Sequence, residues 1–167
     1  GIREKDGQEL VLRWLSYPSR QELPLLAESA QATLKDIGIR LELNITANHN
    51  AIAADPSAWD IYAGANVNSG LGDPANFFST HCLDASTKNR GGYHSGRLEE
   101  LAAELGSTFE SAGRARIAVE MQQVLLDDNA FVFCSFLRMS MIAKAGVTGL
   151  AAHPCDFYEL TARLDIN

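Results

Sequence analysis

Apolar residues in Leu10-Val11-Leu12-Arg13-Trp14-Leu15 fall on both alternating sets, with Leu10, Leu12 and Trp14 on one face and Val11 and Leu15 on the other. That pattern predicts a strand covered on both sides, with Arg13 near an edge. Leu23, Leu26, Ala30, Leu34 and Ile37 then recur every three or four residues, the stripe of an amphipathic helix. Ser19-Arg20-Gln21-Glu22 has the form of a capping box, although Pro24 moves the regular start towards itself. Gly38 occupies the position where a helix usually turns left-handed and ends. Ile39-Arg40-Leu41-Glu42-Leu43-Asn44-Ile45 alternates strictly and predicts a strand with one buried face. Strand, helix and strand with short connections make a right-handed βαβ unit with parallel strands.

Thr46 to Pro56 reads as a short helix and loop, and Trp59 to Ala65 as a buried strand rich in aromatic and small residues. Asn66 to Gly72 is small, polar and glycine-containing, so its backbone is exposed. Asp73 is placed to cap a helix whose first helical position is Pro74. A strand that opens through a polar loop into a helix start is where α/β proteins commonly hold ligands, and an ordinary ligand-free connection has the same local pattern. Leu83 to His94 is a polar loop. Ser95 caps a helix running to Leu105 with Leu98, Leu101 and Leu105 inward, and a longer helix covers Ser111 to Asp127 on the stripe Ile117, Met121, Val124 and Leu125. Asp128-Asn129 stops it. Phe131 to Leu137 predicts a buried strand, Met139 to Lys144 a second one, and Val147 to Leu160 irregular chain broken by Pro154.

Composition narrows the class. The 167 residues, 46% hydrophobic, suffice for one domain or one lobe of something larger. A net charge of −7 argues against a nucleic-acid surface, which needs clustered Lys and Arg. No run reaches the length of a membrane-spanning helix. The start at Gly1-Ile2-Arg3, without Met, reads as an excised piece of a longer protein. Cys82, Cys134 and Cys155 are too widely spaced for a disulfide framework or zinc motif and read as buried, inert thiols, with one bridge plus one free thiol as the alternative. No Gly-x-Ser-x-Gly elbow, His-Glu-x-x-His or phosphate loop occurs.

Four blocks, in order, resemble a known family. They are Lys5 to Leu10; Ala27 to Ile39; Trp59-Asp60-Ile61 with Asp73-Pro74 and Phe77-Phe78; and Gly92-Tyr93-His94-Ser95 leading into Arg114 to Asp128 and the Phe131 segment. The pattern resembles the C-terminal part of the family 5 extracytoplasmic solute-binding proteins, the receptors of ABC importers for dipeptides, oligopeptides and nickel. The resemblance implies an α/β fold, a type II-like periplasmic binding-protein lobe with a mixed sheet and flanking helices. Residues 1–167 would form one such lobe, the third of a larger protein. Solute would bind in a cleft against another lobe and be presented to a membrane permease, in the periplasm or outside the cytoplasm, with lipid anchoring left open. No cofactor is required, no nucleic acid is involved, and the remaining lobes of the same protein are its partners.

The same resemblance implies ligand contacts from the loop before Asp-Pro, here Asn66, Val67, Asn68, Ser69, Gly70 and Asp73. Peptide-binding members often carry Trp-x-x-Asp-Tyr there, where the acid pairs with the peptide amine. Here Val67 and Gly70 stand near those places, and no acid lies between Tyr62 and Gly72. A nickel or metal-chelate solute is therefore favoured over peptide, with His81 or His94 as metal ligand, since nickel chelates favour imidazole nitrogen. Against this, adjacent His81-Cys82 point apart, His94 precedes a helix cap, and His153-Pro154-Cys155-Asp156 lacks a partner cluster. A small α/β enzyme with an unrecognised site and a stand-alone interaction module are the alternatives.

Overall fold

Strand β3 (Val11–Ser16) lies at the centre of a three-stranded sheet. In this computed structural model, residues 1–66, 72–138, 140–152 and 161–166 are described. β3 pairs in parallel along its whole length with β4 (Arg40–Ile45), Val11 opposite Arg40 and Ser16 opposite Ile45. On its other side it pairs in parallel with the short β5 (Ile61–Tyr62), Trp14 opposite Ile61 and Leu15 opposite Tyr62. Helix α1 (Glu22–Asp36) makes the crossover and packs Ala27 against Trp14 and Leu41, with Leu26, Ala30 and Leu34 around them. The βαβ unit and the α/β class are thus as the hydrophobic pattern predicts. This main sheet is wholly parallel, and the antiparallel pairs stand apart, β1 (Glu4–Lys5) with β2 (Gln8–Glu9) and β6 (Val147–Thr148) with β7 (Asp165–Ile166).

Local details depart from expectation in informative ways. Gln21, not Ser19, precedes the first turn of α1, and the carbonyl of Arg20 accepts from the amide of Leu23. Pro24 is accommodated inside the first turn, where an amide would have had no helical partner anyway. Gly38 sits at φ +82°, and a Cβ there would stand 2.8 Å from the carbonyl oxygen of Gly1. Only glycine satisfies both the left-handed backbone and that approach. The N-terminal segment docks beside it, with the Arg3 amide donating to the Gly38 carbonyl and the Arg3 Nε to that of Ile37.

Arg13, exposed mid-strand in β3, has a specific job. Its Nε and Nη2 donate to the two carboxylate oxygens of Asp60, and its Nη1 donates to the Ser57 carbonyl. The amide of Arg13 also donates to Asp60. This fork ties β3 to the short 3-10 turn Pro56–Ala58 that precedes β5, after helix α2 (His49–Ala53). It holds the Asp60 carboxyl down at about 2.

The chain divides into two compact units, Gly1–Asn66 and Val67–Asn167. In the second, α3 (Ala75–His81), α4 (Gly96–Ser107) and α5 (Ser111–Asp127) enclose a core of Phe78, Cys82, Leu98, Leu101, Leu105, Ile117, Met121 and Leu125. The predicted inward positions of α4 and α5 lie in or against this core. Ser95 caps α4, and Glu110 caps α5 by accepting from the amides of Ala112 and Gly113. On the outside, Arg97 pairs with Glu120, and Arg116 with Glu104, lacing the two helices together.

Three expectations are corrected here. Phe131 to Leu137 forms no strand, and Val132 and Phe136 are exposed rather than buried, because no neighbouring strand among the described residues pairs with them. The described residues of 139–144 form no strand either. Cys134 is exposed for the same reason, whereas Cys82 is buried and its thiol is pushed up to about 12. Cys155 lies outside the described residues.

Candidate functional site

At the C-terminal end of the parallel sheet, the backbone leaves β3 through Ser16 and Tyr17 and leaves β5 through Ala63 to Ala65. Ser16 is wholly buried, and its hydroxyl has no hydrogen-bond partner among the described residues. Tyr17 reaches across to Ala65. Its hydroxyl accepts from the Ala65 amide at 3.0 Å and donates to the Ala65 carbonyl at 3.2 Å. One phenol thus satisfies both backbone groups of the residue just before Asn66, as a β-ladder would.

The Tyr17 ring also stacks on the His49 imidazole, with centroids 4.1 Å apart. His49 Nδ1 lies 3.0 Å from the Tyr62 hydroxyl, and the Trp59 ring leans on Tyr62. Three segments far apart in sequence therefore converge: the end of β3, the start of α2 and the end of β5. The C-terminal end of a parallel sheet is where open α/β folds place ligands. Asn66, predicted as a contact residue, is exposed immediately beyond this cluster. Tyr17, His49 and Tyr62 were not among the predicted site residues. The available signal was a tyrosine at the end of each of two apolar strands, which acquires meaning only once those strands are known to be neighbours.

In the second unit, Asp73 opens α3. Its Oδ1 accepts from the Ala75 amide at 2.9 Å and from Arg114 Nη2 at 2.6 Å. The amide bond, with the arginine added, holds the Asp73 carboxyl below its ordinary range. Arg114 in turn donates to the carbonyls of Leu105 and Thr108, so the start of α3 is fastened to the α4–α5 connection. Pro74 stands at the cap position itself, one place earlier than predicted.

The two candidate metal ligands sit in contrasting surroundings. His81, in the last turn of α3, is half-buried and stacks on Phe77, and its Nδ1 lies 3.3 Å from the Phe77 carbonyl. A carbonyl only accepts, so the tautomer with its hydrogen on Nδ1 suits this contact. Burial holds this imidazole below its ordinary pKa and keeps it neutral. His94 is exposed, and its Nδ1 lies 2.8 Å from Asp84. That bond raises its pKa and favours the cation. Among the described residues, no group of three His, Cys, Asp or Glu side chains is arranged to hold a metal ion. Val67, Asn68, Ser69 and Gly70, and the His153 to Asp156 stretch, lie outside the described residues.

No protein-family model matches the chain. Over 166 residues, 97% of its length, the chain is 22% identical to the nickel-binding protein NikA of Staphylococcus aureus, of which it spans 34%. The solved structure of that NikA in complex with Ni(L-His)2 superposes with a TM-score of 0.75 at 19% identity, covering 95% of this chain and 34% of the other. A nickel ABC transporter structure from Bacillus halodurans gives a TM-score of 0.67 at 26% identity, covering 77% of this chain and 28% of the other. The oligopeptide-binding protein AppA of Bacillus subtilis, in complex with a nonapeptide, gives 0.61 at 18% identity, over 77% of this chain and 26% of the other. The chain thus spans about a third of the length of the relatives it matches.

Proposed function

From this likeness to about one third of the nickel and oligopeptide solute-binding proteins, the relationship that the four sequence blocks imply, we propose that the chain is one lobe of the solute receptor of an ABC importer. Residues 1–167 act as a single functional lobe, binding rather than transforming their ligand. Solute is held in a cleft completed by the rest of the polypeptide, outside the cytoplasm, and the closed receptor is read by a membrane permease. Closure is driven by the greater affinity of the solute for the closed state. The observation that carries this reading is the match to NikA in both sequence and fold along almost the whole chain.

Within that reading, the solute is a nickel chelate rather than a peptide. No acid stands between Tyr62 and Gly72 to meet a peptide amine, and burying an unpaired ammonium is costly. Asn66, Val67, Asn68, Ser69, Gly70 and Asp73 supply the loop contacts. Of the two histidines, His81 is the better metal ligand. Nickel needs a neutral imidazole with its lone pair on the outer nitrogen, and a ligating histidine usually donates its other N–H to a carbonyl or carboxylate. His81 has a carbonyl beside its Nδ1 and a pKa lowered by burial, whereas Asp84 favours protonated His94.

Calorimetry on the full-length polypeptide, unfolded and refolded to strip carried-over solute, tests this. Nickel is titrated with and without free L-histidine, then a short peptide. Binding of nickel with histidine, weakened roughly tenfold by His81→Ala (about 1.4 kcal/mol) and little by His94→Ala, is the expected result. Peptide binding with no nickel response would overturn the choice of solute and leave the receptor reading in place. The 167-residue chain by itself should bind either solute at roughly millimolar affinity or weaker, because half the cleft contacts are missing.

A further inference from the structure

Two side chains fasten the chain at the first and the last of the expected contact residues, Asn66 and Asp73. β5 pairs with β3 only at Ile61 and Tyr62, and the ladder ends where the Ala63 amide donates to the Leu15 carbonyl. Ala65 lies two residues further on, where a chain leaving a sheet has no ladder to satisfy its backbone. The Tyr17 hydroxyl bonds both of its backbone groups instead, at 3.0 and 3.2 Å, and the Tyr17 ring is itself held by its stack on His49. Asn66 follows directly. In the second unit, Asp73 needs only the Ala75 amide to satisfy the start of α3. Arg114 adds a second bond to the same oxygen, Oδ1, while its Nη1 donates to the carbonyls of Leu105 and Thr108. A planar guanidinium bonded at both ends cannot turn, so the carboxylate it meets is held in one orientation.

We propose that Tyr17 and Arg114 are positioning residues for solute binding: Tyr17 sets Asn66 through the backbone of Ala65, and Arg114 sets Asp73. This assignment rests on the receptor reading above, in which Asn66 and Asp73 contact the solute. The physical gain is preorganisation. A contact residue that must be ordered when solute arrives subtracts from affinity, and it is accurate only if the groups behind it are fixed. Here that ordering is completed on folding. Tyr17 lies in Gly1–Asn66 and Arg114 in Val67–Asn167, so each clamp holds its own contact residue within its own unit. Their effects on affinity should therefore multiply. A role in stability alone is the competing account, and it makes a different prediction: lower melting, with solute affinity unchanged while the protein is folded.

The test is calorimetry of nickel with free L-histidine on the full-length polypeptide, well below its melting temperature, paired with amide exchange at Ala65 and Ala75. Arg114→Gln should weaken binding roughly tenfold, Tyr17→Phe roughly threefold, and the double variant by about the product. Arg114→Lys keeps a charge for Asp73 but not the fork, and should recover part of the loss. Arg116→Gln breaks only surface ion pairs from the same helix and should leave affinity unchanged. Without solute, Ala65 in Tyr17→Phe and Ala75 in Arg114→Gln should exchange faster than in the wild type. Both should regain protection when solute binds, a gain that the wild type, already fixed, lacks. Lower melting with unchanged affinity and no solute-dependent protection overturns the positioning role in favour of a purely structural one. If Arg114→Gln fails to fold, Tyr17→Phe and Arg114→Lys carry the same comparison. If a short peptide binds in place of nickel, the same variants are read against the peptide. A wild type that binds neither overturns the receptor reading and the positioning role with it, whereas wild-type binding that the variants share undiminished overturns the positioning role alone.

Discussion

The sheet unit and the helical unit treat buried polarity in opposite ways. In residues 72–166, the apolar seam between α4 and α5 is made of Leu98, Leu101, Leu105, Ile117, Met121 and Leu125, and the described polar groups around it form caps and ion pairs at the surface. In residues 1–66, Trp14 Nε1, Ser16 Oγ, Glu22 Oε1 and Trp59 Nε1 are buried without a hydrogen-bond partner among the described residues, and no polar side chain in the described part of the helical unit shares that condition. Burying an unpaired polar group costs stability. The helical unit therefore reads as a core arranged for stability. Two of these groups, Ser16 and Trp59, lie close to the end of the sheet where Tyr17, His49 and Tyr62 converge: Ser16 adjoins Tyr17 in sequence, and the Trp59 ring leans on Tyr62. Functional sites commonly break the rules that cores obey.

Leu101→Ala should have the largest effect. Leu101 is fully buried, and removing its side chain leaves a cavity that neighbours fill only in part. A loss of about 3 kcal/mol is expected in urea unfolding followed by circular dichroism. A loss below about 1 kcal/mol would mean that the helical core is far more plastic than its packing implies. Tyr17→Phe comes next. It removes the hydroxyl that serves both backbone groups of Ala65, at an expected cost of about 1.5 kcal/mol, and amide exchange at Ala65 should accelerate with it. Unchanged exchange at Ala65 would remove Tyr17 as the brace of the sheet's exit.

Acid should weaken the sheet unit through Asp60. Its pKa in the folded chain, about 2, is lowered by the Arg13 fork from an ordinary value near 3.8. A depressed carboxylate gives stability that is complete above the unfolded pKa and lost as pH falls through the folded one, so the loss falls between roughly pH 4 and 2. The side chains of the pair are 34% and 45% exposed, so solvent screening reduces the effect to about 1 kcal/mol. Asp60→Asn should flatten this part of the pH–stability curve, and an identical curve would show that the fork is energetically silent. Ser16→Ala tests the contrast with the opposite sign. It deletes a buried hydroxyl without a partner and should be neutral or stabilise by up to about 1 kcal/mol. A loss instead would mean that the hydroxyl is satisfied in solution and that the two units differ less in buried polarity.

The order in which these features became legible follows from how local they are. The βαβ unit could be read because its stripe and its alternation are periodic over single segments: Leu23 to Ile37 for α1, Ile39 to Ile45 for β4. Leu98, Leu101 and Leu105 were readable for the same reason. The Ser19 capping box fails because the helix starts two residues later than the motif implies, with Gln21 at the cap and no side-chain cap bond. The Tyr17–His49–Tyr62 cluster is not legible in the sequence because its members come from the end of β3, the start of α2 and β5, and only tertiary packing, which is not a local property, brings them together. Phe131 to Leu137 has the residue types of a buried strand. Burial also needs a neighbour, and a propensity reports what a segment suits, not what lies beside it.

The two histidines give the smallest and sharpest test, because it separates them without any solute. His94 carries a raised pKa from its bond to Asp84, and His81 a lowered one from burial. In a proton NMR titration, the His94 ring resonances should move above the ordinary midpoint of 6.5 and those of His81 below it. The sign of the linkage follows: stability gained from His94 is complete below the unfolded pKa and fades as pH rises through the folded one, while His81 resists being charged and opposes folding as pH falls. Asp84→Asn should lower the His94 midpoint and leave that of His81 in place. If the midpoints coincide, the physical reason for choosing His81 over His94 as the nickel ligand disappears. If they separate as expected, His81 is neutral at pH 7, where a metal ligand must be, and Asp84→Asn should not alter any nickel affinity that His81 provides.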